Sequence, residues 1–321
     1  MNRKRILITD GVHPVLQEEL EKKDFKTDYR PDISPKLVSE MIADYHGLII
    51  NSKIRVDSSL LDRAPLLEFV ARLGSGMEII DQKETEKRGI AVFSSPGGNC
   101  NAVAEHAMGM ILMWNNHLLR SNGEVKKFHW DREKNRGIEL EGRKIGIIGF
   151  GHTGSALARK LAGFSVEVLA YDKYKPTGYA QDYDYVTECA TREDCIRQSD
   201  IVSLHLPLNF ETLHLANTSF FNQCKPGFLL INTSRGPVVD TPALITALEK
   251  KQAAGACLDV FENEKPETYT PDEKQMYEKL FSFPQVLVSP HIAGWTIESK
   301  YKLARILLDK ILMHYDSGNP R

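Results

Sequence analysis

Residues 144–172, KIGIIGFGHTGSALARKLAGFSVEVLAYD, constrain the fold more than any other stretch. The short apolar run Ile145–Ile148 has the length and composition of a strand buried on both faces of a parallel sheet. A turn carrying Gly149, Gly151 and Gly154 follows, then an Ala- and Leu-rich helical segment, then a second apolar run, Val166–Tyr171, ending on Asp172. Strand, G-x-G-x-x-G, helix, strand and acidic residue stand in the order a dinucleotide site needs. Gly149 allows the tight turn, Gly151 lets the backbone approach a pyrophosphate, and Gly154 lets the helix pack on the strand. The helix N-terminus offers N–H groups and the positive end of its dipole to phosphates. Asp172 is suited to a ribose 2′-hydroxyl and would repel a 2′-phosphate, so the cofactor expected is NAD.

The remaining sequence builds an α/β frame around this unit. In the first hundred residues, short apolar runs (Ile6–Thr9, Gly47–Asn51, Glu68–Ala71, Ile90–Phe93) alternate with helix-like segments (Pro14–Lys22, Pro35–Asp44, Asp81–Arg88). Such alternation predicts a small domain on a parallel sheet. A long helix, apolar on nearly every face, is expected over Asn101–Ser121, buried on several sides. After Asp172 come Ile201–Leu206, Phe228–Asn232, Ala253–Asp259 and Val286–Ser289, which bring the second sheet to six strands. A final helix, Ile297–Tyr315, is expected to pack back on the first domain. The expected division is residues 1–99 with 290–321 as a substrate domain, and 100–289 as an inserted NAD-binding Rossmann domain.

Charge and cysteine usage narrow the context. The formal net charge of −2 advertises neither nucleic acid nor a membrane surface as partner. The N-terminus has only a four-residue apolar run, which predicts no secretory signal, and no segment has the length of a membrane span. Five cysteines form no C-x-x-C, so a reduced, cytoplasmic protein without a structural metal is expected.

Ligands of such sheets lie beyond the carboxyl ends of the strands. There the chain carries His205, Asn232–Arg235, Asp259 with Glu262 and Glu264, and His291. A nicotinamide enzyme needs a proton donor and a charge clamp. His291 titrates in the useful range, Glu264 is suited to orient it, and Arg235 offers a planar fork for a carboxylate. Each also fits a structural role: a satisfied histidine, a polar-loop glutamate, a cap partner.

The motifs RLGSGMEIID, NAVAEH, LEGRKIGIIGFGHTG, IVSLHLPL, KPGFLLINTSRGPVVD, GACLDVFENE and SPHIAGWT, in this order, cover most of the chain. Together they resemble the D-isomer-specific 2-hydroxyacid dehydrogenase family, within it most closely its phosphoglycerate dehydrogenases. The resemblance implies two Rossmann-like or flavodoxin-like domains, each a parallel sheet flanked by helices, in a homodimer. It implies hydride transfer between NAD(H) and a 2-hydroxyacid/2-oxoacid pair. His291 would be the proton donor, Glu264 its acidic partner and Arg235 the residue holding the substrate carboxylate and carbonyl. Gly74, Ser75 and Gly76 match the substrate-carboxylate loop, with Asn99 beside it. His152, Thr153, Asp172, Thr233, Ser234, Asp259 and Gly294 match cofactor contacts.

Some residues depart from the family pattern. Asn51 stands where phosphoglycerate dehydrogenases usually carry an arginine for the substrate phosphate, leaving Lys53 or Arg55 to compensate. Pro266 falls one position late, which leaves Glu262 as a weak rival, but the five-residue offset from Asp259 favours Glu264; Trp295 is bulkier than usual beside His291. Expectation therefore divides between 3-phosphoglycerate/3-phosphohydroxypyruvate in serine biosynthesis and an unphosphorylated glyoxylate- or hydroxypyruvate-type 2-oxoacid. A third reading is an NAD-sensing protein like the family's corepressor. The chain's end soon after its last helix also predicts no C-terminal regulatory domain.

Overall fold

A computed structural model describes residues 3–316. Two compact units emerge, Met1–Asn99 with Trp295–Arg321, and Cys100–Gly294 inserted between them in sequence.

The first unit is a five-stranded parallel sheet of β1 (Arg5–Ile8), β2 (Lys26–Tyr29), β3 (Gly47–Ile50), β4 (Phe69–Arg72) and β5 (Ala91–Ser94), in the order β2-β1-β3-β4-β5. Helices α1 (Pro14–Lys22), α2 (Pro35–Met41), α3 (Ser58–Asp62) and α4 (Gln82–Lys87) connect the strands. Proline opens α1 and α2, and Ser34, Asp57 and Asp81 cap the first turns of α2, α3 and α4. β3 is buried at all four positions because the sheet is covered on both faces. Leu48, Ile50 and Val70 pack on one side; Ile6, Ile8 and Phe69 pack on the other against Ala304, Leu307 and Ile311 of the C-terminal helix. β2 was not expected from sequence. It is a polar edge strand, KTDY, with no fully buried residue and so no apolar signal.

The second unit is built from α5 (Cys100–Asn115), α6 (Leu118–Val125), β6 (Lys144–Ile148), α7 (His152–Leu161), β7 (Glu167–Tyr171), β8 (Val186–Glu188), α8 (Arg192–Gln198), β9 (Ile201–Leu204), α9 (Thr218–Gln223), β10 (Phe228–Asn232), α10 (Thr241–Glu249), β11 (Ala253–Leu258), α11 (Pro271–Phe281) and β12 (Val286–Val288). Its sheet is all parallel with order β12-β11-β10-β9-β6-β7-β8, seven strands where six were expected. The extra one, β8, is a three-residue edge strand, too short to show a pattern. The long helix expected over Asn101–Ser121 is two helices. His117 adopts a left-handed φ of +50° and breaks it, leaving Leu118 and Leu119 exposed while α5 is buried through Ala104, Ala107, Met108 and Ile111. The last helix, α12 (Ile297–Asp316), returns to the first unit.

Candidate active site

The glycine turn joins β6 to α7 where the strand order reverses, β6 lying between β7 and β9. Gly149 has φ +93°, and a Cβ there would sit 2.3 Å from the His205 carbonyl oxygen, so the turn admits no side chain. Gly151 caps α7 without a side-chain partner for the first-turn N–H groups, and the space its Cβ would take is open. His152 is exposed, Thr153 half-buried and Gly154 buried in that first turn. The Asp172 carboxylate closes the cradle: Oδ2 accepts the Phe150 N–H at 2.9 Å and Oδ1 the Tyr174 N–H at 3.0 Å. The lysines beyond it are engaged elsewhere. Lys173 donates to Glu211 at 2.6 Å, and the Lys175 ammonium lies 5.7 Å from the Phe150 ring centroid.

Two orphaned atoms mark where a polar ligand fits. β9 and β10 pair Leu204 with Asn232, so His205 and Thr233 follow at adjacent strand ends. His205 Nδ1 and Thr233 Oγ1 are both buried with no hydrogen-bond partner among the described residues. Burial pushes the His205 imidazole down to about 4, so it is neutral, with Nε2 2.9 Å from Ser203 Oγ. A dinucleotide fits this combination of turn, helix end, carboxylate and unpaired groups. In the sequence His205 had been visible only as a residue at a strand end; its buried, unpaired Nδ1 needed the fold.

The three candidate catalytic residues lie in the same unit. His291 Nδ1 is 2.7 Å from Glu264 Oε2, with 47% and 38% of their side chains exposed, so the imidazole edge remains reachable. Burial pushes the Glu264 carboxyl up, but the His291 hydrogen bond and charge, the Phe261 N–H and the Arg235 charge outweigh it and hold it below the usual carboxylate range. Glu262 is engaged elsewhere: its carboxylate meets His214 Nε2 at 2.7 Å and the Thr241 N–H at 2.9 Å. Arg235 leaves the end of β10 on a turn shaped by buried Asn232, whose Oδ1 accepts from the Ser234 N–H and hydroxyl and whose Nδ2 donates to the Arg235 carbonyl. Gly236 seats that turn, since a Cβ there would overlap the Phe261 carbonyl at 1.8 Å.

His291 itself has φ +57°, a left-handed backbone that costs a non-glycine residue about 1 kcal/mol. Asp259 holds it there. The Asp259 carbonyl accepts the His291 N–H at 2.8 Å, and its carboxylate accepts the N–H groups of Ile292 at 2.9 Å and Ala293 at 2.8 Å. Asp259, expected at the cofactor, is thus fully buried beneath the His291 loop. These bonds also keep residues 290–294 with the second unit, so its boundary falls after Gly294 and not at Pro290.

In the first unit, Gly74 donates to Ser95 Oγ and accepts from the Ser95 N–H, which fixes the loop after β4. The Ser75 and Gly76 N–H groups have no partner among the described residues. The Asn51 N–H is held by Asp10, Lys53 donates its ammonium to the Pro31 carbonyl, and Arg55 is exposed. Asn99 is half-buried and ends this unit's first segment. No helix among the described residues is long and apolar enough to cross a membrane.

Residues 108–293 match the family profile described as the D-isomer specific 2-hydroxyacid dehydrogenase NAD binding domain. The chain is 29% identical to a hydroxypyruvate reductase of Thermotoga maritima, over 97% of this chain and 98% of the relative. It is 28% identical to a D-3-phosphoglycerate dehydrogenase of Archaeoglobus fulgidus, over 96% of this chain but 56% of that protein. The crystal structure of a D-lactate dehydrogenase from Aquifex aeolicus complexed with NAD and lactic acid superposes with a TM-score of 0.83 at 26% identity, covering 98% and 96% of the two chains.

Proposed function

The chain belongs to the D-isomer-specific 2-hydroxyacid dehydrogenase family of NAD-dependent oxidoreductases, and from that premise we propose that it reduces small unphosphorylated 2-oxoacids of the glyoxylate or hydroxypyruvate type. The observation that carries the reaction is the 2.7 Å His291–Glu264 pair on the unit that holds the dinucleotide cradle. Bound NADH supplies hydride to C2 of the substrate. Arg235 binds the carboxylate with its planar fork and polarises the carbonyl. His291, held by Glu264, delivers a proton to the alkoxide that develops on C2. Glu264, Gly149–Gly154, Asp172, Thr233, Ser234 and Gly294 serve orientation and cofactor binding in this reading.

The unphosphorylated reading draws its support from Asn51 in the first unit. Asn51 brings no charge to the end of β3 and the Lys53 ammonium donates to the Pro31 carbonyl, which leaves the exposed Arg55 as the remaining bidentate cation of this segment. We also read the chain as self-associating, through the exposed apolar residues Leu118, Leu119, Phe128 and Trp130 on and after α6.

NADH oxidation across glyoxylate, hydroxypyruvate, pyruvate and 3-phosphohydroxypyruvate tests the reading. An unphosphorylated acid should give the highest kcat/KM, and Asn51→Arg should move the preference toward the phosphorylated one. His291→Asn should lower turnover by about two to four orders of magnitude, with NADH affinity nearly unchanged. A strong wild-type preference for 3-phosphohydroxypyruvate would overturn the substrate assignment. Turnover intact in His291→Asn would overturn the mechanism, and NADH binding without turnover on any acid would leave a sensor.

A further inference from the structure

His106 lies on α5, far in sequence from every residue of the trio, yet its Nε2 is 2.9 Å from Ser289 Oγ. The Ser289 hydroxyl is in turn 2.6 Å from Asp259 Oδ1, and His106 Nε2 itself lies 3.7 Å from that oxygen. We propose that His106, acting through Ser289 on Asp259, is a positioning residue for the His291 proton donor.

Proton counting sets the direction of the chain. A serine hydroxyl has one hydrogen, and the 2.6 Å contact with a carboxylate oxygen takes it. Ser289 Oγ therefore presents a lone pair to His106, and His106 Nε2 must carry the hydrogen between them. His106 donates to Ser289, Ser289 donates to Asp259, and Asp259 accepts two backbone N–H groups of the loop that carries His291. Asp259 is fully buried, so each donor lost from this set leaves a carboxylate in low dielectric with less to stabilise it. The loop above it already holds a left-handed histidine and relaxes when that anchor weakens.

The chain of bonds also joins distant pieces of one unit. α5 begins where the polypeptide enters that unit, and residues 289–294 are where it leaves. Entry helix and exit loop are thus fastened to the same buried carboxylate. His106 has 23% of its side chain exposed, an arrangement that suits support of the loop better than contact with a reacting atom.

This inference rests on His291 being the proton donor, and the experiment separates the two. Ser289→Ala, Ser289→Thr, His106→Leu, the Ser289→Ala/His106→Leu double variant and His291→Asn are compared for kcat, KM for glyoxylate, solvent deuterium isotope effect on kcat and NADH Kd by fluorescence titration. Ser289→Ala and His106→Leu should each lower kcat by about five- to twentyfold and raise the solvent isotope effect, with KM and NADH Kd within about twofold. Ser289→Thr, which keeps the hydroxyl, should stay within about threefold of wild type. The double variant should be no worse than the poorer single, because both break one serial path. Unchanged kcat in both single variants, failure of threonine to rescue a folded protein, multiplied losses, or NADH affinity falling in step with kcat would each overturn the proposal. If His291→Asn keeps full turnover, it is the proton-donor reading that fails.

Discussion

His205 shows how a single buried side chain couples the site to stability. Its imidazole titrates near 6.5 in an unfolded chain and at about 4 when folded, because burial penalises the charged form. Between these values the unfolded chain binds a proton that the folded one does not. Stability is therefore complete above the unfolded value and falls as pH drops toward 4. The loss from pH 7.5 to 5 should be about 2 kcal/mol. Urea unfolding at the two pH values should show that drop in wild type and a smaller one in His205→Gln; equal drops in both would remove His205 as the source. The residue scale is also where sequence reading reached furthest and then stopped. His291, Glu264 and Arg235 stood out as candidates at the ends of apolar runs and through the family resemblance, which with the offset from Asp259 already favoured Glu264 over Glu262; the fold adds that Glu262 is engaged by His214 and the Thr241 N–H while Glu264 meets His291. The fastening of Asp259 to Ser289, Ile292 and Ala293 spans 30 to 34 residues and leaves no local pattern.

At the scale of the element, the β6–turn–α7 unit was legible almost to the residue, since strand, glycines, helix and acid each leave their own signature over a short span. Its strictest position is Gly149. Gly149→Ala forces a left-handed alanine and drives a methyl into the His205 carbonyl, so it should destabilise by about 2 kcal/mol or more and weaken NADH binding at least about tenfold. Fluorescence titration beside thermal unfolding checks both. Unaltered NADH affinity would place the cofactor elsewhere. What the sequence hid at this scale were edges and breaks. β2 and β8 are edge strands that bury too little to show alternation. The break at His117 is a backbone reversal at a residue type that gives no warning, within a run whose apolar residues continue on both sides.

At the scale of the whole molecule, the exposed side chains of the α6 region matter most. Phe128 is 92% and Trp130 69% exposed, an unusual placement for large aromatics on a lone chain. Light scattering should give twice the mass of one chain, and Phe128→Glu/Trp130→Glu should halve it with secondary structure retained; a monomeric wild type would refute self-association through this face. Another consequence lies in the insertion of the second unit between Asn99 and Trp295. The glycine turn, Arg235, Glu264 and His291 all travel within the guest segment, while Asn51, Lys53 and the Gly74–Gly76 loop belong to the host. In the proposed reading, a lineage that redrafts its host loops still inherits the proton donor and the dinucleotide cradle together, because the guest carries both as one cassette.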